Sequence, residues 1–264
     1  MSPGRTALAA APAVVLFVLG AWETCATREA ATSVPGDAAW DAAAATVRAR
    51  YAAGDLLVFA PDWVDPVGRL HLGDLIPLEM AGRMDAARYG RIWELSIRGA
   101  HAPEVAGLTP VTSGDYAGVR VRLFERPTPT VTADVLEHVT DARADGPLRP
   151  GLVLAEVGFA PHRCVQIVPH GGTPVRITFP QLALGTELVG YVGLADVFTR
   201  RDVRTPVELD VEIGGKLVAS AKPGVDDGWV RFAAPTTPGP TDVVFIARAA
   251  ESNRLVCFAA EARK

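Results

Sequence analysis

Two stretches in the C-terminal half of the chain gather charged and aromatic side chains between strand-like runs. In chain order they contain Asp196, Arg200, Arg201 and Asp202, and then Asp226, Asp227 and Trp229. Carboxylates and guanidinium groups that meet in pairs suit ligands rich in hydroxyl groups, because each hydroxyl both donates and accepts a hydrogen bond. The same charges can instead pair with one another and clamp a long connection over the edge of a β-sandwich. The mixed signs favour the clamp, and both interpretations stay open here.

A third candidate site follows a continuous apolar run, Asp55–Ala60. There Asp62, Trp63 and Asp65 stand between two prolines, Pro61 and Pro66. In α/β units ligands bind beyond the carboxyl ends of strands, where two carboxylates can take a cation or sugar hydroxyls and an indole can stack on a sugar ring. The alternative, which the flanking prolines favour, is a turn whose aspartates bond to the local backbone.

Catalytic signatures are absent from the sequence. It contains no G-x-S-x-G, H-E-x-x-H, G-x-x-x-x-G-K-[ST], G-x-G-x-x-G or C-x-x-C motif. His170-Gly171-Gly172 fits a plain turn, and His162 and His170 stand too far apart along one strand to share a metal ion. We therefore predict no catalytic residue and no metal centre. The only cofactor that the acidic loops leave open is a structural calcium ion.

Cysteines and the N-terminus bear on the cellular compartment. Arg5 precedes an apolar run, Ala7–Trp22, which is typical of a secretory signal or an N-terminal membrane anchor. We expect an exported protein, periplasmic or in the cell envelope, with residues 7–22 as its contact with the membrane. Beyond this run stand Cys164 and Cys257, which either form a disulfide in an oxidising compartment or remain buried thiols.

Composition excludes one class of partner. The formal net charge is -4, whereas nucleic-acid-binding proteins usually carry a basic patch or stripe. With 49% hydrophobic and 21% charged residues in 264, the chain can bury enough apolar surface to fold.

The spacing of apolar residues divides the chain into three parts. We expect residues 1–36 to be a signal peptide or membrane anchor followed by a linker. A helix from Asp37, a buried strand at 55–60 and a second strand at 91–98 predict a small α/β unit with a parallel strand pair over residues 37–110. Residues 111–264 alternate apolar and polar side chains, with a hairpin signal at Gly214-Gly215. We predict an α+β fold, in which the small α/β unit precedes an antiparallel, jelly-roll-like β-sandwich.

The C-terminal half resembles the galactose-binding-like jelly rolls of secreted and envelope proteins. The resemblance covers residues 118–263 and rests on Cys164-Val-Gln-Ile-Val, Ile177-Thr-Phe, Leu184-Gly-Thr-Glu-Leu-Val-Gly, Asp227-Gly-Trp-Val-Arg-Phe and Val256-Cys-Phe. It implies a fold and loops that bind sugars or calcium.

The N-terminal half resembles the extracytoplasmic part of protein-mannosyltransferase-type membrane glycosyltransferases. The matching runs are Gly54-Asp-Leu-Leu-Val-Phe-Ala-Pro and Tyr89-Gly-Arg-Ile-Trp-Glu-Leu-Ser. This chain lacks the multiple membrane helices of those enzymes, so the resemblance does not imply their transferase activity.

These observations favour a non-catalytic envelope protein that binds glycan or serves as a scaffold in envelope glycan assembly. Its expected partners are glycan or an envelope protein. One alternative is a carbohydrate-active enzyme with an acid–base pair drawn from Asp62, Asp65, Asp196 and Asp227. The other is a structural protein-interaction module. An exposed aromatic side chain beside paired polar groups would favour sugar binding.

Overall fold

A computed structural model describes residues 3–32, 34–145, 149–169, 171–195, 205–252 and 254–264. The chain divides into two compact units, one formed by residues 1–72 and 92–125 and the other by residues 73–91 and 126–264. The predicted fold class is confirmed, because a small sheet with helices precedes a β-sandwich.

The first unit contains helices α1 to α3 and a four-stranded sheet. Its helices are α1 (Pro3–Thr32), α2 (Asp37–Arg48) and α3 (Asp65–Leu72), and its strands are β1 (Leu56–Ala60), β2 (Arg91–Ser96), β3 (Pro110–Tyr116) and β4 (Val119–Glu125). The strand order is β1-β2-β4-β3, with β1 and β2 parallel as predicted. Among the described residues, no helix has both the length and the apolar character needed to cross a membrane.

Helix α3 packs closely on strand β1. Gly68 lies against the ring of Phe59, where a Cβ atom would stand 2.1 Å from the ring carbons. The helix therefore needs a residue without a side chain at this position.

The second unit contains helix α4 and the sandwich. Helix α4 spans Leu78–Ala81, and the strands are β5 (Val131–Asp134), β6 (Arg143–Ala144), β7 (Gly151–Val157), β8 (Ala160–Ile167), β9 (Val175–Leu184), β10 (Glu187–Leu194), β11 (Val207–Ile213), β12 (Lys216–Ala221), β13 (Val230–Pro235), β14 (Gly239–Ala249) and β15 (Val256–Arg263). One sheet has the order β13-β10-β15-β8-β7, with β5 also paired to β15, and the other has the order β12-β11-β14-β9-β6.

Aromatic side chains join the two sheets of the sandwich. Phe245 of β14 stacks on Phe258 of β15, with ring centroids 4.6 Å apart, and meets Phe232 of β13 edge-on. All three rings are buried. On β9 the alternate residues Val175, Ile177 and Phe179 supply this core, as the period-two pattern predicts, whereas β15 is buried along its whole length.

The observed units differ from the predicted ones, whose boundary lay between residues 110 and 111. Strands β3 and β4 form a hairpin that joins the first sheet through β2, and residues 73–91 belong with the sandwich. The physical reason is that a period of two identifies a half-buried strand but not the sheet to which it pairs.

Candidate functional site

The sandwich contains a split in one of its sheets. Along a single edge of β15, residues Val256–Phe258 pair with β8, whereas residues 261–263 pair with β5. Ala259 and Ala260 lie between the two pairings. A segment of residues 82–90, here named the strap, bonds to strands on both sides of this split.

Three consecutive backbone carbonyls fix the start of the strap. The Gly82 oxygen accepts a hydrogen bond from the Arg163 amide at 2.7 Å, and the Met84 oxygen accepts one from the Trp229 indole Nε1 at 3.0 Å. Between them, the Arg83 oxygen lies 3.1 Å from Nδ1 of His162. Because a carbonyl only accepts, Nδ1 of this imidazole carries the proton. Hydrogen bonds to two residues of β8 and to Trp229 thus fix the start of the strap.

The middle of the strap is held by a chain of alternating charges. Arg88 bonds to both Asp134 of β5 and Glu261 of β15. Glu261 also bonds to Arg263 at 2.9 Å, and Arg263 forms a two-pronged ion pair with Asp85 at 2.9 Å. The order is therefore Asp134, Arg88, Glu261, Arg263, Asp85.

The register explains why Arg88 stands where it does. Asp134 lies directly opposite Glu261 across the β5–β15 ladder, and two like charges in that position repel each other. The two carboxylate side chains are only 10% and 4% exposed, while that of Arg88 is 39% exposed. Burial raises the pKa of Glu261, and the neighbouring Arg263 and Arg88 guanidinium groups oppose that rise. The strap thus supplies the cation that lies between the two carboxylates.

Two adjoining cavities open beside this network, and together they are named the Arg88 cleft. Their volumes are about 260 Å³ and about 340 Å³, and Arg88, Asp134 and Glu137 line both. The more enclosed cavity also has apolar and aromatic walls from Met84, Leu136, Ala259 and Tyr89, and further charges from Glu79, Arg83, Asp85, Arg163 and Glu261. Mixed apolar walls and convergent polar groups are the usual features of a small-ligand site.

The predicted aromatic residue Trp229 is partly buried against its neighbours in the sandwich. Its ring stacks on His162, with centroids 4.4 Å apart, and on Tyr191 at 6.1 Å. It also packs against the buried Cys164 and Cys257. Burial lowers the pKa of His162. These contacts, together with the bond to the strap, give Trp229 a positioning role.

The structure joins Cys164 and Cys257 in a disulfide, with Cα atoms 5.5 Å apart. Cys164 lies on β8 and Cys257 on β15, which are neighbouring strands, and both side chains are fully buried. The bond ties the two strands together close to the split.

The two charged stretches singled out in the sequence do not line the Arg88 cleft in the part of the chain that the structure describes. Asp226 and Asp227 lie exposed in the turn before β13, where the Asp227 carboxylate accepts a hydrogen bond from the Gly224 amide at 2.7 Å. This carboxylate therefore stabilises its own turn. The predicted residues Asp196, Arg200, Arg201 and Asp202 lie outside the described residues, so the choice between sugar-binding loop and clamp stays a prediction for them.

In the first unit, the predicted residues form a short 3-10 turn and the start of α3. Asp65 pairs with Arg69 at 2.5 Å, one helical turn further on. Trp63 remains 55% exposed, and the Arg98 guanidinium lies 5.6 Å from its ring centroid. Since Ala60 is level with Ser96 in the parallel β1–β2 pair, Trp63 and Arg98 both follow the carboxyl ends of these strands. Asp62 is exposed beside them.

Sequence reasoning missed the residues of the Arg88 cleft. Glu261 and Arg263 do carry a signal, because they are charged residues two apart in a strand that otherwise reads as apolar. No local pattern links them to Asp134 or to Arg88. Within the described ranges, no three His, Cys, Asp or Glu side chains converge closely enough to hold a metal ion.

No protein-family model and no curated protein matches this chain. Parts of it align with solved carbohydrate-binding modules. Tandem CBM51 modules of a family 98 glycoside hydrolase from Streptococcus pneumoniae have 11% identity and a TM-score of 0.36, covering 56% of this chain and 56% of that one. The CBM51-2 and INT domains of ZmpB from Clostridium perfringens have 13% identity and a TM-score of 0.34, covering 47% and 28%. The module CBM36 in complex with calcium and xylotriose has 11% identity and a TM-score of 0.34, covering 50% and 99%. The chain thus spans less than two thirds of the length of the first two.

Proposed function

We propose that this protein binds glycan without catalysing a reaction, and that the Arg88 cleft is the binding site. The observation that carries the proposal is a cavity lined both by paired guanidinium and carboxylate groups and by aromatic and apolar residues. A sugar hydroxyl can donate to a carboxylate and accept from a guanidinium, while the carbon face of the ring covers apolar side chains.

The pairing of the carboxylates favours binding over catalysis. Acid–base hydrolysis of a glycosidic bond requires two carboxyl groups that face the bond from about 5–9 Å apart and exchange protons with it. Asp134 and Glu261 instead share one guanidinium, and Asp65 pairs with Arg69. Each of these carboxylates therefore accepts hydrogen bonds from a guanidinium group instead of facing a second free carboxyl group across a substrate bond.

A glycan array tests the proposal. We expect the purified chain to retain a defined set of oligosaccharides, and we expect Glu137→Gln and Tyr89→Ala to weaken that binding about 10- to 100-fold. Glu137 is exposed where the two cavities meet, so its replacement should leave the melting temperature unchanged. Glu187→Gln is the matched control, because Glu187 forms an exposed pair with Arg231 at 3.4 Å on the same sheet and lines neither cavity.

An array with no bound glycan would overturn the proposal. Retention that is equal in the cleft variants and the control would also overturn it, because binding would then occur elsewhere.

We further propose that the protein acts in the cell envelope, after export directed by the signal or anchor within residues 1–36. Arg5 and the apolar run Ala7–Trp22 support this location. A reporter that is active only outside the cytoplasm should be active when fused after Lys264. Activity of a cytoplasm-only reporter at the same position would contradict it.

A further inference from the structure

Carboxylates outnumber guanidinium groups on the walls of the Arg88 cleft. The charged side chains that line its more enclosed cavity are the carboxylates Glu79, Asp85, Asp134, Glu137 and Glu261 and the guanidinium groups Arg83, Arg88 and Arg163. The adjoining cavity adds no further base, because its charged lining residues are Arg88, Asp134 and Glu137. A cleft lined mainly by one sign of charge attracts ligands of the opposite sign. The balance of charge therefore favours a cationic ligand over an anionic one.

The guanidinium groups of the cleft are already engaged within the chain. Arg88 bonds to two of the lining carboxylates, and Arg163 pairs with a third, that of Glu79, at 3.4 Å. Arg83 donates a hydrogen bond to the Met80 carbonyl oxygen at 3.1 Å. An anionic sugar would have to compete with these acceptors for hydrogen bonds, and the neighbouring carboxylates would repel it.

Glu137 is the exception among the lining carboxylates. Each of the others bonds to a guanidinium group, that of Arg88, Arg163 or Arg263. The Glu137 carboxylate forms no ion pair or hydrogen bond within the described part of the chain, and the residue is exposed where the two cavities meet. Its oxygen atoms are therefore available to a ligand.

We propose that the glycan bound in the Arg88 cleft carries free amino groups, and that an ammonium group of the sugar pairs with Glu137. This inference rests on the proposed glycan binding and names the class of glycan, a polymer of amino sugars without acetyl groups. An ammonium group carries only donors, and its hydrogen bond to a carboxylate is about twice as strong as one between neutral groups. An acetylated amino sugar offers Glu137 only a neutral amide, and a uronic acid offers it a second carboxylate.

Oligosaccharides of equal length test the inference. Oligomers of glucosamine, of N-acetylglucosamine and of glucose share one backbone and differ only in the group at a single carbon, and an oligomer of galacturonic acid is the anionic probe. Calorimetry at slightly acidic pH, where the amines are protonated, measures each affinity for the purified full chain. We expect the glucosamine oligomer to bind about tenfold more tightly than the two neutral oligomers, and the galacturonic acid oligomer to bind most weakly. Added salt should reduce this preference, because ions screen exposed charges.

Two variants of Glu137 assign the preference to its carboxylate. Glu137→Gln should lower the affinity for the glucosamine oligomer to that for the glucose oligomer, because the amide keeps the size of the side chain and loses its charge. Glu137→Lys should reverse the preference, so that the galacturonic acid oligomer binds more tightly than the glucosamine oligomer. The matched control is Glu156→Gln, because Glu156 is also an exposed carboxylate without an ion pair in the described residues and lines neither cavity.

The outcomes separate this inference from the proposed function. If the glucosamine oligomer binds no more tightly than the neutral ones and Tyr89→Ala weakens them all, glycan binding at the cleft stands and the inference is overturned. A preference reduced equally by Glu137→Gln and Glu156→Gln would also overturn it, because the attraction would then come from the net charge of -4 on the whole chain. If no oligosaccharide of any charge binds, the proposed function is wrong and the inference falls with it.

Discussion

Replacing Arg88 with methionine removes the only strap side chain that bonds to both Asp134 and Glu261 in the described structure. The two carboxylates then face each other across the β5–β15 ladder without the cation between them. Breaking a buried ion pair from one side costs about 3–5 kcal/mol. The Arg88 side chain is 39% exposed and water screens part of the interaction, so we expect a loss of about 2 kcal/mol in the free energy of unfolding.

Thermal and urea unfolding at neutral pH measure this loss. A change of about 2 kcal/mol corresponds to a decrease of about 4–8 °C in melting temperature for a domain of this size. Adding Asp134→Asn to Arg88→Met should recover part of the loss, since one of the two opposed charges is then gone. The matched control is Arg231→Met, which breaks an exposed ion pair on the same sheet and should cost about 0–1 kcal/mol.

The pH dependence has a definite sign. Burial already raises the folded-state pKa of Glu261 above its ordinary value, and loss of Arg88 should raise it further. At pH values above the ordinary pKa of a glutamate side chain, the folded variant then binds more protons than the unfolded chain. The stability of the variant therefore falls as the pH rises. The deficit of Arg88→Met should therefore be smaller near about pH 5 than near about pH 7.5. A deficit below about 0.5 kcal/mol, or one equal at both pH values, would refute the role assigned to Arg88.

Three further predictions concern other parts of the molecule. With the N-terminal cysteine replaced by serine, the unreduced, denatured chain should show no free thiol, and reducing the Cys164–Cys257 bond should lower stability by about 4–5 kcal/mol; two titratable thiols would contradict the pairing. Gly68→Ala should lower the melting temperature because its Cβ would enter a phenylalanine ring, whereas Gly73→Ala, with nothing within 4 Å, should not; equal effects would argue against close packing of α3. Burial lowers the pKa of His162 in the folded chain. Just below the ordinary histidine pKa of about 6.5, the unfolded chain therefore binds more protons than the folded chain, so acidification through this range should destabilise the wild type more than His162→Asn. Identical stability–pH profiles of the two proteins would contradict this role of His162.

The local elements follow from the sequence because their physical causes are local. The apolar run at 56–60 forms a strand buried on both faces and pairs parallel with 91–96, as predicted. Gly214 and Gly215 both adopt positive φ between β11 and β12, and this is the conformation that a two-residue hairpin requires.

Pairing between distant segments could not be predicted in the same way. The cleft depends on β15 meeting β8 and β5 along one edge, and on a strap from before β2 that crosses to this edge. Each contact joins residues far apart in the sequence, and neither periodicity nor composition encodes such partners. Trp229 is a second example of a long-range contact that the sequence does not predict. The sequence places this residue beside a loop, but it does not predict that its ring stacks on His162.

The most direct test of glycan binding at the Arg88 cleft is a crystal structure of the chain with the oligosaccharide that the array retains best. We predict a sugar ring in the cleft, with hydroxyl groups within hydrogen-bonding distance of Arg88 and Glu137 and the ring beside Tyr89. A sugar bound instead on Trp63 of the first unit, or in the turn at Asp226 and Asp227, would contradict the assignment of the site.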